Sequence, residues 1–183
     1  MKIKPIPLPD ACIVEPEPVK DDRGLFARVF CRDELQSILQ RKSIVQINHS
    51  MTGQKGAIRG MHFQYPPKAE VKMVKCLRGS VFDVLIDLRK DSPALLEWHG
   101  EILSAENMKM MYVPEGFAHG FQALEENCEL LYFHTQFYSP EYEGGVNCDD
   151  PKIGIKWPLK STEISVRDKR FSMLPPDFGG IQL

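Results

Sequence analysis

The apolar residues of this chain come in short runs, each cut off by a turn signal. KMVKCL (Lys72–Leu77) ends at Arg78-Gly79 and is followed at once by SVFDVLIDL (Ser80–Leu88), apolar at Val81, Val84, Ile86 and Leu88. That pattern is a tight turn between two strands. Further strands are predicted over His99–Leu103, Met110–Val113, Gly120–Leu124 and Glu129–Thr135, split by SAEN, PEG and EEN. One early helix is predicted over Arg32–Gln40, where Leu35, Ile38 and Leu39 share a face. Many short strands without alternating helices favour an all-β sandwich or barrel with a few short helices. The chain has 183 residues, 43% of them hydrophobic, so one core and a single domain over 1–183 are expected. The segment from Trp157 is richer in proline and charge, and is expected to wrap the barrel as residues 157–183.

The charge balance excludes some partners. A formal charge of −2 argues against broad nucleic-acid binding. No apolar run approaches the ~18 residues that a membrane span needs. The start, MKIKPIPLPD, has proline where a signal peptide needs an unbroken apolar stretch. Five cysteines at irregular spacing, with no CxxC, read as reduced thiols in a cytoplasmic protein.

Two histidines stand out. GAIRGMHFQ (Gly56–Gln64) and VPEGFAHGF (Val113–Phe121) each set one histidine, His62 and His119, just past a turn in strand-like sequence. Taken with Arg59, Lys72 and Tyr132, they suggest a base, an acid and a cation for proton transfer at a carbon beside a carbonyl. Each residue also has a plainer reading. His62 fits a satisfied core histidine, His119 a turn tie, and Tyr132 in LLYF a core aromatic with its hydroxyl paired. Lys72 and Lys75 fit solvated strand flanks, Arg23 a surface turn and Asp168 a charged tail. His49, His99 and His134 carry no functional reading. PEGFAHGF has the Pro-x-Gly-x-x-His pattern that, in cupin jelly rolls, turns a histidine into the barrel mouth. A metal-binding cupin would also carry His-x-His, and this chain has His62-Phe63-Gln64, so no metal site is expected.

The order of motifs is more specific. DDRGLFARVF, VQINHS, GAIRGMHFQ, VFDVLIDLRKDSP, LSAEN, VPEGFAHGF, LLYFHTQFYSPEYEGG and DDPKIGIKWP resemble the dTDP-4-dehydrorhamnose 3,5-epimerase family from about Asp21 to Asp168. The resemblance implies a cupin-type jelly roll, a homodimer, and no metal or cofactor. It implies epimerisation of a nucleotide-linked 4-keto-6-deoxy sugar at the carbons flanking the ketone. His62 matches the base, Asp168 the carboxylate that orients it, Tyr132 the acid on the opposite face, and Lys72 the cation beside the enolate oxygen. Arg23, Arg59 and His119 match positions that hold the diphosphate and sugar. Gln46, Asn48 and Glu143 match polar substrate contacts, Tyr138 an aromatic one, and Phe26 a residue that reaches the partner's site. The N-terminal segment 1–20, with five prolines in Met1–Pro18, is expected at the dimer interface.

Several positions depart from the family pattern. Arg28 stands where a glutamate is usual, Ile47 where an aspartate is common, Phe133 for a lysine, Gly144 for an arginine and Cys148 for a tryptophan. Arg28 therefore either donates to a substrate oxygen or turns outward with its stem packed. The reading favoured by the sequence is a metal-independent cytoplasmic epimerase in deoxysugar synthesis. Its rivals are a single-centre 3- or 5-epimerase on another nucleotide sugar, a non-catalytic sugar-nucleotide-binding cupin, and a metal-dependent oxygenase that Gln64 disfavours.

Overall fold

The computed structural model describes residues 1–183. In chain order its strands are β1 (Lys2–Pro5), β2 (Cys12–Glu15), β3 (Val19–Asp21), β4 (Gly24–Phe26), β5 (Gln46–Thr52), β6 (Ile58–Gln64), β7 (Lys72–Arg78), β8 (Ser80–Asp87), β9 (Trp98–Ser104), β10 (Met110–Val113), β11 (Phe117–Ala123), β12 (Cys128–His134) and β13 (Glu143–Gly145). Two single-turn helices, α1 (Gln36–Leu39) and α2 (Val166–Lys169), complete the regular structure. No helix is long and apolar enough to cross a membrane.

The strands form two facing antiparallel sheets and a small hairpin. One sheet runs β1-β2-β10-β7-β12-β5, the other β13-β6-β11-β8-β9, and β3 pairs only with β4. This is the cupin-like jelly roll expected of the sequence. Period-two alternation builds three apolar layers from it. The inward residues Ile13, Val74, Val81, Leu85, Met111, Phe121 and Leu130 meet between the sheets. The outward face of the six-stranded sheet carries Val14, Met73, Met110 and Phe133 under Leu35 and Leu39 of the α1 region. The outward face of the five-stranded sheet carries Ile58, Phe63, Val84 and Ile86, with Trp157, Ile164, Leu174, Phe178 and Ile181 of the C-terminal segment packed on it.

Two local expectations change, and one turn does more than expected. The Arg78-Gly79 turn joins two strands as expected, and these, β7 and β8, lie in different sheets. Gly79 takes φ +73° there, and a Cβ would meet Cys128 Sγ at 2.9 Å, so the chain can cross from sheet to sheet only through glycine. The strand expected from Gly120 begins at Phe117, because the Pro-Glu-Gly turn ends sooner. The helix expected over Arg32–Gln40 contracts to Gln36–Leu39, with no side chain capping its start.

Gly145 is the tightest point near the open end of the sandwich. A Cβ on it would lie 2.2 Å from the Phe171 ring, and Phe171 sits edge-on to His62 with ring centroids 5.8 Å apart. Gly145→Ala should cost about 1–3 kcal/mol through overpacking, lowering Tm by roughly 2–4 °C per kcal/mol. Gly53→Ala, with nothing within 4 Å of the added methyl, is the control. Matching melting curves for the two variants would mean that Phe171 yields freely.

Candidate active site

At one end of the sandwich the inward positions change from apolar to polar. Along β12 Leu130 gives way to Tyr132 and His134; along β7 Val74 gives way to Lys72. The result is a cavity of about 270 Å³ whose lining includes Arg59, His62, Lys72, His119, Tyr132 and Glu143. Gln46, Asn48 and Tyr138 also face it.

The two sheets contribute different chemistry. His62 and His119 are register partners on β6 and β11 of the five-stranded sheet. Tyr132 is opposite Asn48, and His134 opposite Gln46 and Lys72, in the six-stranded sheet. The imidazole of His62 and the phenol of Tyr132 therefore approach the cavity from opposite walls.

His62 is oriented from behind. Its Nε2 lies 2.9 Å from Asp168 Oδ1. Asp168 Oδ2 accepts from the Gly60 N–H at 3.1 Å, and Oδ1 also accepts from Arg167 Nε at 3.1 Å. Ser165 caps α2 by accepting from the Asp168 N–H. Burial alone would raise the Asp168 pKa, but the hydrogen bonds from His62, Gly60 and Arg167 outweigh it and hold the carboxyl well below the usual range. An ionised carboxylate only accepts, so Nε2 carries the proton and Nδ1 the lone pair. Arg167 Nη2 lies 2.8 Å from the same Nε2. The carboxylates of Asp168 and Glu143, the latter at 3.0 Å from Nη1, hold the guanidinium there rather than the ring.

Tyr132 shares a 3.1 Å hydrogen bond with Ser50 Oγ. Burial pushes its phenol above the ordinary range, partly opposed by Ser50, so it stays a protonated donor. His119 Nε2 meets the buried Asp83 Oδ1 at 2.8 Å. Arg59 is braced on β5, with Nε donating to Thr52 Oγ1 and Nη2 to the Met51 carbonyl, both at 2.8 Å. Lys72 is buried, not a solvated flank, and Asp168 is buried, not a solvated tail residue. No group of three His, Cys, Asp or Glu side chains is arranged to hold a metal. Gln64, where a metal cupin has its second histidine, donates to the Lys68 carbonyl at 2.9 Å and accepts from Ser139 N–H at 2.7 Å.

Arg23, Phe26 and Arg28 do not line this cavity. Arg23 and Phe26 lie on the exposed β3–β4 hairpin, where Arg23 pairs with Asp21 and Phe26 is 76% exposed. Arg28 pairs with Glu34. Within a single chain the guanidinium thus meets the acid just before α1. Sequence reasoning missed Ser50, Glu70, His134 and Arg167, all on the cavity wall. Alternation from Tyr132 would have found His134, two residues on; Glu70 precedes β7 in a loop and has no local signal.

A family model described as dTDP-4-dehydrorhamnose 3,5-epimerase matches residues 5–175. A protein of that name from Salmonella typhimurium is 43% identical over 169 residues, covering 91% of this chain and 92% of its own. The crystal structure of the Bacillus anthracis enzyme of the same name, with TDP and PPi bound, superposes with a TM-score of 0.91 at 38% identity, covering 94% and 99% of the two chains. The Legionella pneumophila dTDP-6-deoxy-D-glucose-3,5-epimerase, in complex with dTDP-4-keto-L-rhamnose, gives a TM-score of 0.89 at 36% identity, covering 94% and 92%.

The Asp168 environment has a consequence for stability. A carboxyl whose folded pKa is depressed stabilises the fold above its unfolded pKa, and that contribution fades as pH falls below ~3.9 towards the folded value. Asp168→Asn should therefore be less stable than wild type at neutral pH, with the gap narrowing in acid denaturation series below about pH 4. A gap that is constant across pH would mean that Asp168 stabilises by packing alone.

Proposed function

Because the chain belongs to the dTDP-4-dehydrorhamnose 3,5-epimerase family, we propose that it inverts stereocentres of a nucleotide-linked 4-keto-6-deoxy-hexose, in deoxysugar synthesis, by proton transfer beside the C4 ketone. The observation that carries this reading is the pairing of an oriented base on one wall with a protonated phenol on the other. His62 Nδ1, its lone pair free, takes the proton from carbon 3 or 5. The C–H electron pair moves into the carbonyl and gives an enolate. Lys72 holds the negative oxygen, a contribution of about 2.7–4 kcal/mol for a well-placed donor. Tyr132 returns a proton to the carbon from the opposite face, which inverts the centre; His62 then releases its proton to solvent and the phenolate regains one from it. Base and acid are each worth about 10²–10⁴ in rate. Arg59 and His119 bind the sugar and diphosphate, Gln46, Asn48 and Glu143 the sugar oxygens, and Tyr138 stacks beside the ligand. No step calls for a metal or cofactor. The relatives' dTDP-linked substrates make dTDP the nucleotide of first choice.

Incubation with dTDP-4-keto-6-deoxyglucose in D₂O tests this. Wild type should place deuterium at the inverted carbons. His62→Ala should abolish exchange at both. Tyr132→Phe should still exchange on the His62 face while losing inversion by about 10²–10⁴. Exchange at the wild-type rate in His62→Ala would remove His62 from the mechanism.

The working unit is a homodimer with composite sites, in the cytoplasm. The β3–β4 hairpin supports it: Val19, Leu25 and Phe26 present apolar side chains to solvent, and Arg23 stands beside them with no reach into its own cavity. In the dimer this hairpin, with segment 1–20, closes the neighbouring cavity, and Arg23 and Phe26 meet the ligand there. Arg23→Ala and His62→Ala should each be impaired alone. Co-refolded, they should regain activity, because each mixed dimer holds one site with neither substitution. A fully active monomer, or no recovery in mixed dimers, would overturn the composite site.

A further inference from the structure

We infer that Glu70 and His134 are positioning residues that join the Lys72 ammonium to the substrate-facing amides of Asn48 and Gln46 in one hydrogen-bonded chain. The inference rests on the proposed function for its consequence, and on geometry for its existence. Lys72 Nζ lies 3.1 Å from Glu70 Oε1. Glu70 Oε2 lies 2.8 Å from His134 Nδ1. His134 Nε2 lies 3.3 Å from Asn48 Nδ2. Asn48 Oδ1 accepts from Gln46 Nε2 at 3.2 Å, and Gln46 Oε1 accepts from the Tyr138 N–H at 3.1 Å. Five segments are linked: the loop before β7, the start of β7, the end of β12, β5, and the turn at Tyr138.

The chain has a direction. Glu70 is buried, which works against its charge, yet its bonds to His134 and Lys72 keep it ionised. A carboxylate can only accept, so His134 carries its proton on Nδ1 and offers a lone pair on Nε2. Asn48 must then turn its NH₂ towards His134 and its oxygen towards Gln46. Gln46 in turn must point its oxygen at the Tyr138 N–H. Reversing any one amide would set two donors or two acceptors face to face. The hydrogens left over all point away from the chain: the remaining N–H groups of Lys72, Asn48 and Gln46. The wall that Lys72 shares with these amides is thus a row of donors, fitted to ketone, hydroxyl and phosphate oxygens and unfitted to donor groups. His134, set two residues beyond Tyr132 with its ring stacked on it at 6.2 Å, is the link through which Glu70 governs the amides.

Glu70→Gln is nearly isosteric and reverses the direction. Its amide would accept from Lys72 and donate to His134 Nδ1, so the ring proton would move to Nε2 and Asn48 would have to flip. Nitrogen-15 spectra of the His134 ring and of the Asn48 and Gln46 side-chain amides read this without any substrate. The expected result is an Nδ1–H tautomer in wild type, an Nε2–H tautomer in Glu70→Gln, and displaced amide resonances at both Asn48 and Gln46. An Nε2–H tautomer in wild type, or unmoved amides in the variant, would overturn the inference. Kinetically, Glu70→Gln should lower kcat through Lys72 and raise KM through the amides, with kcat/KM down at least roughly tenfold. A loss of thermal stability with both constants unchanged would make Glu70 merely structural and would also overturn it. A wild type that neither exchanges nor epimerises 4-keto nucleotide sugars would sink the proposed function instead, and the ring tautomers would still decide the chain.

Discussion

A buried carboxylate stays ionised only while donors replace the water it has lost, and Asp168 has three: His62, the Gly60 N–H and Arg167. The arrangement reaches well beyond the pair. Asp168 lies on a single-turn helix in the C-terminal segment, and that segment is held by apolar packing on the outer face of the five-stranded sheet. His62 and Gly60 lie on β6 of the same sheet. The tautomer of His62, and so the availability of Nδ1, depends on a contact between residues more than a hundred positions apart. Packing of Trp157, Ile164 and Leu174 lies outside the cavity, yet it carries the carboxylate that orients His62.

The opposite wall solves a different problem. A phenol and a lysine paired with a carboxylate share the same small space. Tyr132 keeps its proton because burial disfavours phenolate. Lys72 Nζ lies 3.1 Å from Glu70 Oε1, an ion pair that leaves hydrogens of Lys72 unengaged. A carboxylate thus backs each wall: Glu70 holds Lys72 beside the phenol, and Asp168 holds His62 on the facing wall.

Much of this was legible in the sequence, and the limits were physical. Strand runs and turn signals placed β7 to β12 to within a few residues because side-chain alternation is local. At Arg78-Gly79 the turn was legible but the sheet assignment of its two strands was not, because a turn signal says nothing about pairing. His62, His119, Tyr132 and Lys72 were found through motifs. Glu70 and His134 were not, because a partner's value depends on what faces it across the sheet. Arg23, Phe26 and Arg28 were placed at a site by resemblance; in the single chain they lie on or just after a hairpin away from it, and only a second copy can decide their reach.

Strand parity also explains how this chain can depart from its family without losing the chemistry. Ile47 sits between the inward Gln46 and Asn48, and Phe133 between the inward Tyr132 and His134, so both point outward. They are register partners, so a position where aspartate is common and one where lysine is common have become an apolar pair together. A cross-strand ion pair exposed to water contributes little, and a cross-strand apolar contact replaces it at small cost. Phe133 is further covered by Phe30, stacked at 6.2 Å. Gly144 points to the face opposite Glu143, where any Cβ would strike the Phe63 ring at 2.5 Å. Cys148 is packed in the outer layer, its thiol pushed up to about 11 by burial. Each of these four changes falls on an outward or packed position, one residue or one layer removed from the cavity. Variation there adjusts the outer faces, which meet solvent or the C-terminal segment. The inward positions, which line the cavity, keep His62, Tyr132 and Lys72.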